Sequence, residues 1–93
     1  MDRLFEAIAH AQRREILRLL KRAGEMPAGD IADRSHLAKP TLSHHLNILV
    51  TAGLLDRERR GQFIFYRVNV SMFEDLSTQL AELFEVERRR RER

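Results

Sequence analysis

The 93-residue chain is 43% hydrophobic and 33% charged and holds no cysteine, which sets aside a disordered polymer, a disulfide-stapled fold and any thiolate metal site. Its net charge of +3 is a weak pull toward an anionic partner that only local geometry can sharpen. The length allows one domain, 1–93, and so short a chain removes only about 60 to 65% of its unfolded surface from water, so a second copy would add useful core.

No apolar run approaches the ~18 residues of a membrane span, and charges recur through residues 1–20; no membrane contact is expected, and the cytoplasm is the expected compartment. In chain order, Leu4, Phe5 and Ile8, then Ile16, Leu17, Leu19 and Leu20, predict two helices that turn near His10. Gly24 and Pro27 stop the second, and residues 28–34 form a short helix with Ile31 and Ala32 inward. After a break at 35–38, Pro40 opens a helix over 39–52, in a first turn where its missing N–H has no partner to lose. Gly53 ends it as a left-handed C′ residue. Runs 54–59 and 62–69, separated by Arg60-Gly61, predict a β-hairpin with a basic tip. From Ser71, helical spacing returns as Phe73, Leu76, Leu80 and Leu83, a seam suited to pairing with a second subunit.

The helix over 39–52 carries Ser43, His44 and His45 in a row, three side chains that invite a metal or nucleophilic reading. Helical phase opposes both. With Leu42, Leu46, Leu49 and Gly53 as the inward line, Pro40, His44, Asn47 and Thr51 point away, Ser43 lies on one flank, and Thr41 and Ile48 on the other. His45 falls about 60° from the core line and should be partly buried. A helical two-His metal site uses positions i and i+4, and a Ser-His nucleophile needs a base in reach plus an orienting group. The expectation is therefore no metal, no cofactor and no enzyme. A short helix, a brief break and a second helix with a small polar outer face make a helix-turn-helix, whose second helix fits the major groove. The following hairpin, with Arg57, Arg59 and Arg60 near Gly61, suits the DNA backbone or a narrow minor groove. The fold class read from the residues is mainly α with a β-hairpin wing, in the order α-α-α-α-β-β-α.

At this point the chain resembles the ArsR/SmtB-type winged-helix repressors, through "LFEAIAHAQRREILRLLK", "AGDIADR", "KPTLSHHLNILVTAGLL" and "RRGQFIFYRV". It looks closest to the autorepressor-like members that lack the metal sites. The resemblance implies a homodimer built on the first and last helices, through Leu4, Phe5, Ile8, Phe73, Leu76, Leu80 and Leu83. It implies repression at an imperfect palindrome in double-stranded DNA until an inducer or protein partner, which the sequence does not identify, releases it. It also implies that Lys39, Pro40, Thr41, Ser43 and His44 meet DNA, with Arg59, Arg60 and Gln62 in the wing; the reading of the residues adds Asn47 on the same outer face and Arg57 in the hairpin. Family metal sites use a cysteine pair near the third helix or Asp, His and Glu ligands on the last; here the first stretch reads "EMPAGDI" and residues 71–87 lack histidine. Where members often show Asp-Pro-Thr-Arg-Arg, this chain has His10-Ala11-Gln12-Arg13-Arg14, losing a capping carboxylate. Ala38 stands where a serine is usual, and losing such a cap costs about 1 kcal/mol.

Three further readings follow from the residues. The basic tail over 86–93, "VERRRRER" with its final arginine run, either complements its helix dipole in solvent or adds phosphate contacts. A winged helix used only for protein contact predicts no preference among duplexes. A metal-responsive repressor with an unorthodox site would draw on His10, His36 or the acidic residues of the last helix.

Overall fold

The computed structural model describes residues 2–92, with the backbone alone described for 86–89. Its elements run α1 Asp2–Ile8, α2 Ala11–Ala23, β1 Glu25–Pro27, α3 Ala28–Ser35, α4 Lys39–Thr51, β2 Leu55–Arg60, β3 Phe63–Val68 and α5 Val70–Glu92. The helices and hairpin fall where the apolar spacing puts them, each within a few residues. The strand β1 is an addition that apolar spacing does not predict. Its three residues, Glu25, Met26 and Pro27, pair antiparallel with Arg67, Tyr66 and Phe65, giving a sheet in the order β1-β3-β2. Three residues ending in proline carry too little alternation to signal a strand; here the neighbouring hairpin supplies the ladder.

Local chemistry explains the boundaries. At the end of α2, Gly24 has φ +85° and its N–H reaches the Leu20 carbonyl at 2.9 Å. His36, at φ 58°, turns the chain between α3 and α4 in the left-handed region that few non-glycine residues enter. Its N–H bonds the Ala32 carbonyl at 3.1 Å, closing α3. Neither His10 before α2 nor Ala38 before α4 makes a side-chain cap, as loss of the carboxylate and serine predicts. Asn69 caps α5 instead, its Oδ1 accepting from the Met72 N–H at 3.0 Å.

The core unites Leu4 and Ala7 of α1, Ile16, Leu17 and Leu20 of α2, Ile31 of α3, and Leu42, Leu46 and Leu49 of α4. The sheet adds Met26, Leu55 and Tyr66, the turn before β2 adds Leu54, and α5 adds Leu76. Burying such a side chain contributes about 1.5–3 kcal/mol, so α4 is pressed onto the domain along one line while its opposite face stays free. Among the described residues no helix is long and apolar enough to cross a membrane.

Candidate nucleic-acid interface

The outward face of α4 is laid out as its phase requires. Leu42, Leu46 and Leu49 are buried, whereas Lys39, Pro40, Thr41, Ser43, His44, Asn47 and Thr51 are all exposed. All of these but the proline present donors, acceptors or a positive charge on one side of a helix that follows a tight turn from α3. A proline in the first turn and buried leucines behind leave that surface rigid.

The two adjacent histidines separate. His44 is exposed, while His45 retains only 8% of its surface. His45 sits between two residues of α2. Arg13 Nη1 lies 3.4 Å from its Nδ1, and its Nε2 lies 3.0 Å from Gln12 Oε1. Burial pushes the His45 ring below its ordinary value, and the positive charges of Arg13, His44 and His10 push the same way. Arg13 is itself buried, at 3% exposure, and its guanidinium also bonds the Ala7 and Glu6 carbonyls at 2.7 and 3.1 Å. Sequence alone assigns Arg13 no role; a long charged side chain at an apolar phase position is the only signal that points to it.

The wing needs a sharper division than its sequence suggests. Cross-strand pairs Arg57↔Tyr66 and Arg59↔Ile64 put Arg57 and Arg59 on the sheet face shared with buried Leu55 and Tyr66. Arg60 pairs with Phe63 and points to the other face. There its guanidinium grips Glu25 of β1 through two bonds of 2.6 and 2.8 Å and Glu58 through one of 3.2 Å. It also stacks 4.4 Å from the Phe65 ring centroid. These hydrogen bonds hold both carboxyls below their ordinary values and raise Arg60 above its own. Arg60, expected in the DNA-facing wing, remains exposed on the hairpin and is also ion-paired within the protomer, because β1 brings Glu25 beside it. Arg59, whose Nε bonds the Gly61 carbonyl at 3.1 Å, and Arg57 and Gln62 are exposed on the hairpin.

A shallow cleft of about 270 Å³ runs between α1 and the reading face, with Arg3 beside His44, Asn47 and Ile48. Arg3 is another residue that sequence alone does not single out, since nothing in its own helix links it to α4. Among the described residues no three His, Cys, Asp or Glu side chains gather as a metal site, and His10 and His36 stand on separate turns.

Of the predicted dimer residues, Leu4 and Leu76 lie in the protomer's own core and Phe5, Ile8 and Phe73 pack against it. Leu80 and Leu83 are exposed, and so is Phe84 next to them, at 76%. Of the basic tail over 86–93, the side chains of 86–89 and residue 93 lie outside the described residues.

A core shared by the helices and the sheet, a helix-turn-helix with a polar outer face and a basic antiparallel hairpin define a winged helix-turn-helix of the nucleic-acid-binding kind. Residues 10–57 match the family described as bacterial regulatory protein, arsR family, and the chain belongs to that family. It is 48% identical over 75 residues to the transcriptional repressor SdpR of Bacillus subtilis (strain 168), covering 81% of this chain and 82% of that protein. An ArsR-like transcriptional regulator from Rhodococcus sp. RHA1 superposes with a TM-score of 0.86 at 27% identity, over 96% of this chain and 83% of that one. A homodimeric winged helix-turn-helix DNA-binding domain from Mycobacterium bovis, solved in solution, gives 0.71 at 30% identity, over 87% and 77%. The relatives are transcriptional regulators and not enzymes.

Proposed function

We propose that the protein is a homodimeric transcriptional repressor that reads a palindromic operator with α4 in the major groove and the wing on the backbone or minor groove. The observation that carries this reading is the exposed row Thr41, Ser43, His44 and Asn47 on α4, fixed by three buried leucines and followed in the chain by a hairpin with exposed Arg57 and Arg59. Hydroxyl, imidazole and amide groups on a rigid helix reach base edges, whereas Lys39, Arg57, Arg59 and Gln62 suit phosphates. Arg60 shapes the wing through its ion pairs. Likeness to a repressor and to a homodimeric DNA-binding domain supports repression and pairing.

In a dimer the two copies of α4 would stand about one helical turn of DNA apart, ~34 Å. Leu80, Leu83 and Phe84 supply the apolar surface that a partner subunit would cover, while Phe5, Ile8 and Phe73 are partly buried against the protomer's own core. With DNA as the partner, the cytoplasm is the compartment, and release falls to an inducer or a protein. Selection of bound duplexes from a random pool tests the reading. A palindrome with half-sites near 10 base pairs apart is expected; no enriched sequence would overturn it.

A further inference from the structure

We infer that Arg13 is a positioning residue for DNA reading: it ties the end of α1 to the reading helix α4 through the His45 ring, which Gln12 holds from its other side. The inference rests on the proposed role of α4 and adds what fixes that helix's rotation. An arginine carries only donors. Two of those on Arg13 go to the Ala7 and Glu6 carbonyls, which belong to the last turn of α1 and have no partner within their own helix, the Glu6 carbonyl accepting also from the Ala9 N–H at 3.2 Å just past it. The third points at His45 Nδ1, 3.4 Å away. Because arginine cannot accept, Nδ1 must be the bare nitrogen, and the ring proton then sits on Nε2, where it donates to Gln12 Oε1 at 3.0 Å. The contacts thus select one tautomer.

This tie has a mechanical consequence. His45 is flanked in the chain by His44 and lies two residues from Ser43 and Asn47, all on the outer face. Rotation of α4 about its axis would draw the ring off Arg13 and swing those three side chains together. The same guanidinium touches α1, so a shift of α1 against α2 reaches the reading face by a contiguous route of hydrogen bonds. The charged and titratable groups that act on the ring are Arg13 from α2, His10 ahead of α2, and His44 from α4 itself. Each is positive when charged. A proton on Nδ1 would therefore both remove Arg13's acceptor and place like charges together, so acid undoes the tie.

The test uses the full chain in two arms. In the wild-type protein, ¹⁵N-detected imidazole spectra should show His45 as the neutral Nε2–H tautomer. On acidification its titration midpoint should be shared by the Arg13 Nε–H signal and the amides of α1's last turn. For Arg13→Gln, His45→Gln and the double variant, the readout is the ratio of affinities for the selected duplex and a scrambled one. Each single change should lower that ratio about tenfold, the size of one good base contact, and the double change no further. Arg13→Lys should recover melting temperature more than discrimination, since one ammonium cannot span two carbonyls and a ring. A proton found on Nδ1, separate midpoints, undiminished discrimination in folded variants, or losses that multiply would each overturn the tie. If the wild type prefers no duplex at all, the reading of α4 fails instead, while the tautomer and midpoint still judge the tie.

Discussion

His44 and His45 are neighbours in the chain with ring centroids 6.0 Å apart, yet one faces solvent and the other is enclosed between Arg13 and Gln12. Replacing them should give different phenotypes. His44→Ala should leave stability within about 0.5 kcal/mol, as surface changes do, and relax preference among operator variants. His45→Ala should cost about 1–3 kcal/mol in urea unfolding, because it strips an acceptor from a buried guanidinium. Equal stability losses for the two would contradict the partition.

The same enclosure sets a pH dependence. His45 is held below the ordinary histidine value of 6.5, so between 6.5 and its lower folded value the unfolded chain binds more protons than the folded one. Stability then rises with pH in that window: the contribution is fully present above 6.5 and is lost as pH falls toward the folded value. Melting temperature followed downward from neutrality should decline through this range. The decline should be smaller in His45→Gln, which has no ring to protonate.

How much of this is legible in the sequence depends on the range of the interaction. The helix phase of Leu42, Leu46 and Leu49 is local, and it correctly separates His44 from His45 before any fold is known. The hairpin is equally local, carried by Phe63 to Val68 beside Gly61. The ion pairs of Arg60 are not legible in the sequence, because its partner Glu25 is 35 residues away and reaches it only through β1, a strand too short to announce itself. Arg13 escapes notice for a similar reason: its ring partner lies 32 positions on. A buried charge is visible in sequence only as a phase violation, and adjacent arginines blur that signal.

Division of labour in the wing gives a third prediction. Arg59→Ala and Arg57→Ala should each weaken all duplexes alike and reduce the slope of log affinity against log salt by roughly 0.9 for each phosphate no longer neutralised. Arg60→Ala should change that slope less, since its charge is already shared between Glu25 and Glu58. Fluorescence anisotropy titrations at several salt concentrations distinguish the three. A slope reduced as much by Arg60→Ala as by Arg59→Ala would return Arg60 to the DNA.

Gly53 marks the exit from the reading helix. It holds φ +85°, and an added Cβ would sit 2.8 Å from the Met72 Cε of α5. The methionine end can move aside, so backbone conformation dominates the cost, about 1–2 kcal/mol for an L-residue in this region. Gly53→Ala should lower the urea midpoint accordingly with an unchanged slope. An unaltered midpoint would mean that the exit turn adopts another conformation at no cost.

The proposed dimer seam mixes two kinds of residue, and mutation should separate them. Leu4 is inside the protomer at 5% exposure, whereas Leu83 is 59% exposed. Leu4→Ala removes core volume and should destabilise the chain by about 2–5 kcal/mol. Leu83→Glu leaves that core intact, and α5 around it is already rich in charge, so a monomer would accept the carboxylate readily. Covered by a partner, the same carboxylate would be buried without a counter-charge, which costs several kcal/mol. Leu83→Glu should therefore sediment as a monomer at concentrations where the wild type is a dimer. It should bind an isolated half-site about as well as the wild type does, while losing the gain from the second half-site. A Leu83→Glu protein that stays dimeric would move the subunit contact away from this end of α5.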